Sequence, residues 1–170
     1  MPTLHVCSLA RLHETVAATG ASHVVTLINA ATPVSRPGSI PEDRHLFIGV
    51  SDIVDPLEGQ ILPALEHVEQ LIAFVRAWPR EKPLVIHCYA GISRSTAAAF
   101  IAACLLWPER GETEIARALR DASPIATPNR RLVAVADAHL GRDGRMIAAI
   151  EAIGQGREAA EGEPFCLTLR

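Results

Sequence analysis

The chain has 170 residues and a mass of 18.2 kDa, which suits one domain with a substantial core. Hydrophobic residues make up 49% and aromatic ones only 4%, so that core has to be aliphatic. A formal net charge of −3, with no block of Lys and Arg, excludes the electrostatic footprint of a nucleic-acid binder. Four cysteines (Cys7, Cys88, Cys104, Cys166) stand without CxxC or zinc-type spacing. The opening residues lack a basic segment followed by an unbroken apolar run, and no stretch approaches the roughly 20 apolar residues of a membrane span. Free thiols in the reducing cytoplasm, with no membrane or nucleic-acid partner, are therefore expected.

The elements follow in chain order. "TLHVC" (3–7) is a short β-prone run, and 8–18 is helix-like with Gly20 as its stop. "SHVVTLIN" (22–29) has the β-branched content of a buried strand. Three prolines and a glycine make 31–44 an irregular loop, and "HLFIGV" (45–50) is the next strand. From about 62 to 78, Leu65, Val68, Ile72 and Val75 recur at helical spacing, with Pro63 suited to a first turn. "LVIHC" (84–88) is wholly apolar up to its last two residues, like a strand covered on both faces. Helices are predicted over 94–107, 112–122, 130–140 and 146–153, with "SPIATPN" (123–129) as a loop. The polar, Gly- and Glu-rich stretch "GQGREAAEGEP" is expected to be mobile, and the closing "FCLTL" to pack on its own domain. Strands alternating with helices give an α/β fold class, a largely parallel sheet flanked by helices.

"HCYAGISRS" (87–95) carries the chemistry. A buried strand ends at Cys88, five residues turn, and a helix opens at Arg94. Such a loop aims the N–H groups of Tyr89, Ala90, Gly91, Ile92 and Ser93 at one point, where the helix dipole also favours an anion. Gly91 lets the backbone turn inward with no Cβ in the way. Arg94 adds a planar fork that matches two phosphate oxygens. Cys88 lies at the bottom of this field, which favours thiolate over thiol and makes the sulfur a nucleophile toward phosphorus. His87 fits a supporting role, hydrogen-bonded to the loop backbone.

The pattern His87-Cys88-x5-Arg94-Ser95 resembles the active-site loop of the protein tyrosine phosphatase superfamily, most closely its dual-specificity branch, and "SPIATPN" is similar to that branch's "SP…PN" segment. The resemblance runs from about Thr3 to Leu140. It implies the cysteine phosphatase fold, with 1–154 as a single phosphatase domain and 155–170 as a C-terminal tail. It also implies a metal-independent phosphomonoester hydrolase acting through a cysteinyl-phosphate, with no cofactor. Asp52, leaving the strand 45–50, takes the family's position for the general acid; Asp55 has compatible spacing, and the strand-end position favours Asp52. Ser95 holds the place of the hydroxyl that assists the leaving thiolate. A phosphorylated protein or peptide is the expected substrate, phosphotyrosine with phosphoserine or phosphothreonine also possible chemically, and phosphate or vanadate the expected ligand.

Two other classes stand beside this reading. Inositol phosphate and phosphoinositide phosphatases resemble the same superfamily but carry basic residues inside the loop, and "YAGIS" has none. A non-catalytic phosphoprotein-binding module would lack the Cys, the Arg or the acid, and all three are present. A sulfur-transfer or arsenate-reducing enzyme fits Ser95 and an upstream Asp less well. The other histidines (His5, His13, His23, His45, His67, His139) show no metal-ligand spacing. Arg36, Arg130 and Arg131 are candidates to line the cleft.

Overall fold

Five short, mostly apolar segments form the strands: β1 (Leu4–Ser8), β2 (His23–Ile28), β3 (His45–Gly49), β4 (Leu84–Cys88) and β5 (Phe165–Leu167). In this computed structural model, which describes residues 1–169, they make one sheet in the order β3-β2-β4-β1-β5. The first four run parallel, and β5 closes the β1 edge antiparallel. Every residue of β2 and β4 is buried, as expected for central strands covered on both faces.

Six helices among the described residues flank the sheet: α1 (Leu12–Thr19), α2 (Leu65–Ala77), α3 (Arg94–Leu106), α4 (Glu112–Ala122), α5 (Arg130–Leu140) and α6 (Arg145–Ile153). Cys7, Leu12, Val16, Val24, Ile40 and Val85 build a small core that includes α1. The larger core has α3 at its centre, where every residue from Arg94 to Cys104 is buried. A helix apolar on all sides belongs inside, and its alanines let neighbouring elements approach closely. Truncating Phe100, fully buried there, would cost about 3–5 kcal/mol.

Element boundaries shift in instructive ways. Ser8, read as the start of a helix, ends β1 in register with Cys88, and α1 begins only at Leu12. Pro63 lies before α2 rather than in its first turn. There His67 Nδ1 accepts the Ala64 N–H at 3.0 Å, doing the work of the usual Glu or Gln at that position. Three orphan N–H groups at the head of α6 (Gly144, Met146 and Ile147) all donate to the buried Asp137 carboxylate, which fixes where α6 begins.

The stretch after α6 corrects the expectation of a mobile segment. Arg120 Nη2 donates to Gly154 O at 2.7 Å, Gly156 N to Thr127 Oγ1 at 3.0 Å, and Ser8 Oγ to Glu161 Oε1 at 2.5 Å. Backbone bonds run from Arg157 N to Pro124 O and from Gly162 N to Ala90 O. The final apolar residues pack on the domain as expected, with Leu167 and Leu169 buried, and three of them add the strand β5. Long-range hydrogen bonds and close glycine contacts hold this strap, and the local polarity of its own side chains shows neither.

Candidate active site

The C-terminal ends of the parallel strands meet the N-terminus of α3, the place where open α/β sheets take ligands. Cys88 closes β4, and its Sγ accepts the Gly91 N–H at 3.2 Å and lies 3.0 Å from Ser95 Oγ. Gly91 has φ +73°, and a Cβ there would stand 2.8 Å from Cys7 C and 2.9 Å from Ser8 N. Glycine is thus required twice over, by backbone conformation and by the close approach of β1. Ser93 precedes α3 but does not cap it. Its hydroxyl turns outward and donates to Asp52 Oδ1 at 2.7 Å.

Arg94, only 7% exposed, has Nη1 donating to Asn29 Oδ1 at 2.7 Å and to Val50 O at 3.0 Å. Its Nε is the one buried side-chain polar atom without a hydrogen-bond partner among the described residues. An unmet buried donor costs about 1–3 kcal/mol, more on a charged group, and an anion accepting from it would recover that. The ends of β2 and β3 therefore fix one side of the guanidinium, while another edge retains a free donor.

Asp52 sits just beyond β3 and is exposed. Besides Ser93, Asn129 Nδ2 donates to the same Oδ1 at 2.9 Å and to Ile53 O at 3.2 Å. Asn129 also caps α5 by accepting the Leu132 N–H at 3.0 Å, so one side chain ties α5 to the Asp52 loop. Asp55 is exposed, and no hydrogen bond joins it to the loop 88–95 among the described residues. Asn29 and Asn129 escaped the sequence reading, although Asn129 closes the "SP…PN" segment that the reading singled out.

Beneath the loop a polar row crosses three strands. His87 Nδ1 lies 3.3 Å from Cys88 O, which can only accept, so Nδ1 carries the proton. Nε2 then accepts the Thr26 hydroxyl proton at 2.6 Å, and Thr26 Oγ1 accepts from His45 Nε2 at 2.7 Å. Burial pushes His87 down to about 4, and burial followed by the charge of Arg36 also lowers His45. Both rings are neutral near pH 7, as this donor order requires. By contrast, burial raises Cys104, at the far end of α3, to about 12, and Cys7 on β1 to about 11. All four cysteines are free.

Two of the clefts that adjoin the loop also reach Asp52. One, of 680 Å³, has Asp52, Ile92 and Ser93 on one wall and the strap 155–160 on the other. The second, of 510 Å³, lies between the segment Asp52–Leu57 and Thr127–Arg130. Of the arginines named from sequence, only Arg130 lines either cleft, and Glu151 holds it at 3.1 Å. Arg36 turns to Ile40 O and Arg131 to Pro63 O.

Residues 59–123, which include the whole loop, match the family model for Protein-tyrosine phosphatase. No curated protein sequence matches. Among solved structures, DUSP15 aligns with a TM-score of 0.66 at 18% identity, over 89% of this chain and 92% of its own. Human DUSP28 aligns at 0.61 and 22% identity, covering 82% and 88%. The human tyrosine phosphatase-like serine/threonine/tyrosine-interacting protein aligns at 0.64 with 12% identity, over 82% and 92%.

Proposed function

From a chain that has the protein tyrosine phosphatase fold in its compact, dual-specificity-like form, we propose a metal-independent phosphatase that hydrolyses phosphoprotein monoesters through a cysteinyl-phosphate. The observation that carries this is the setting of Cys88. Its sulfur accepts the Gly91 N–H in the loop that leads into a buried helix, lies beside the Ser95 hydroxyl, and stands six residues before a buried arginine with a free donor.

In the first step the Cys88 thiolate attacks phosphorus, the S–P bond forms and the P–O bond to the substrate breaks. The N–H groups of residues 89–94 and the Arg94 fork hold the equatorial oxygens, where charge accumulates. The departing oxygen takes a proton from the Asp52 carboxyl. Because Oδ1 already accepts from Ser93 and Asn129, the transferable proton belongs on Oδ2. In the second step water attacks phosphorus, Asp52 Oδ2 takes its proton, and the P–S bond breaks. Ser95 Oγ, 3.0 Å from sulfur, donates to the departing thiolate, and inorganic phosphate leaves. His87 holds the loop through the Cys88 carbonyl and does not touch substrate.

The neutral loop interior, Tyr89 to Ser93, supports a singly phosphorylated protein side chain over a polyanionic inositol phosphate. A nucleophilic thiol and four free cysteines fit the reducing cytoplasm, and no helix among the described residues is long and apolar enough to cross a membrane. The test is hydrolysis of p-nitrophenyl phosphate in EDTA, wild type beside Cys88→Ser. Turnover should fall by at least about 10³-fold in the variant while phosphate or vanadate still binds. Undiminished turnover would remove Cys88 from the mechanism, and a folded but inert wild type would favour a phosphoprotein-binding module.

A further inference from the structure

The strap is the part of the cleft that no motif announced. Its two ends are pinned tightly: a Cβ on Gly156 would lie 2.5 Å from Ile125 C, and one on Gly162 would lie 2.9 Å from Gly91 O. Gly162 N donates to Ala90 O at 2.8 Å, so the strap is bonded to the phosphate loop itself. Between these anchors residues 157–160 are exposed and wall the 680 Å³ cleft opposite Asp52, Ile92 and Ser93. Asp52, Ser93 and Thr127 line both clefts, so the two adjoin one another beside the loop.

The two sides differ in chemistry. On the far side stand the apolar Val54 and Leu57, 46% and 61% exposed. On the strap side stands Arg157, exposed and without an ion-pair or side-chain hydrogen-bond partner among the described residues. Arg130, across the mouth, is already held by Glu151. The Asp52 carboxylate, on the loop side, accepts from Ser93 and Asn129.

We infer that this cleft selects a phosphopeptide with an acidic side chain on the strap side, read by Arg157, and an apolar side chain on the other, seated against Val54 and Leu57. The inference rests on the phosphatase reading and specifies its substrate. A segment crossing the mouth would set its phosphate over Cys88, and its flanks would fall into the two clefts. Arg157 supplies a guanidinium fork suited to a carboxylate or a second phosphoryl group. The exposed apolar pair loses water-facing surface only when such a segment is bound. Glu158, on the same wall, is the residue a basic flank would choose instead.

The experiment measures kcat/KM on phosphotyrosine peptides with Glu, Ala or Lys on one flank and Leu or Ala on the other, in both chain orders. p-Nitrophenyl phosphate serves as the flankless reference. The wild type should prefer Glu over Ala by about three- to tenfold, the range of a solvent-exposed charge pair with some desolvation. Arg157→Ala should abolish that preference, and Arg157→Glu should transfer it to the Lys peptides. Leu57→Ala should remove the Leu preference alone. Turnover of p-nitrophenyl phosphate should be unchanged in all three. A Glu preference that survives Arg157→Ala, or a wild-type preference for Lys, would overturn the assignment. So would a loss on p-nitrophenyl phosphate equal to the loss on peptides, which would make Arg157 a support of the loop. Turnover without flank discrimination overturns this inference alone; no turnover on any substrate overturns the phosphatase reading with it.

Discussion

The loop from Cys88 to Ser95 and the strap that touches it differ in how much of their geometry is set locally. Between Cys88 and Ser95 a strand end, a glycine with positive φ, a helix start and a thiol within reach of its own loop's N–H set the relative positions locally, and contacts from β1, Asn29, Asp52 and Thr127 brace them. The strap from Gly154 to Gly162 has no regular structure, and long-range partners hold it at Arg120, Pro124, Thr127 and Ala90. A loop whose reacting groups are placed by one strand end and one helix start can be read from eight residues, even where distant residues brace it. A strap built from distant contacts is legible only once the contacts exist. On the proposed reading the first carries chemistry and the second selection, and variants on each side should separate accordingly.

The largest effects belong to the loop. Arg94→Ala removes the fork and the free Nε donor, so turnover should fall by about 10²–10³-fold and phosphate affinity with it. Unchanged phosphate or vanadate affinity in a titration would contradict the clamp. Asp52→Asn keeps the hydrogen bonds at Oδ1 but loses the proton, and should lower kcat by about 10²–10⁴-fold, most for poor leaving groups. The same leaving-group dependence in Asp55→Asn, with Asp52→Asn active, would move the acid three residues along.

His87 gives a smaller effect with a defined sign. Its folded value near 4 lies below the ordinary 6.5, so the unfolded chain binds the proton more readily. Stability is therefore fully present above about pH 6.5 and declines as pH falls toward 4, by about 3 kcal/mol in all. Urea midpoints across that window should show the slope, and His87→Gln should flatten it. The strap variants come last: Gly156→Ala meets the Ile125 backbone and should cost about 1–3 kcal/mol. Activity on p-nitrophenyl phosphate, measured well below the melting temperature, should stay within about threefold of wild type, since only the strap end is displaced. A loss comparable to Arg94→Ala would erase the distinction between the two regions.

Much of the fold was legible in the chain. The β-branched runs of β2 and β4 and the 3.6-residue spacing of α2 gave strands and a helix whose apolar faces could only pack together. Boundaries moved where a tertiary partner intervened, as at Ser8, drawn into β1 by its register with Cys88. Cys88, Arg94 and Ser95 were legible because a strand, a turn and a helix fix their relative positions within one short segment. Asp52 was legible as the residue leaving a strand. Asn29, Asn129, Thr26 and His45 were not, because each acts across a gap that only the sheet order closes.

By itself, then, the sequence determined an α/β core and a strand–loop–helix turn with a thiol at its base, since both follow from periodicity and local backbone geometry. The tertiary structure alone decided what surrounds that loop: which donors hold Asp52 at its rim, which side of Arg94 is tied, and that a polar, glycine-rich tail returns to wall the cleft. The physical reason is that these depend on side-chain and backbone hydrogen bonds and close glycine contacts between residues tens of positions apart, which no local pattern encodes.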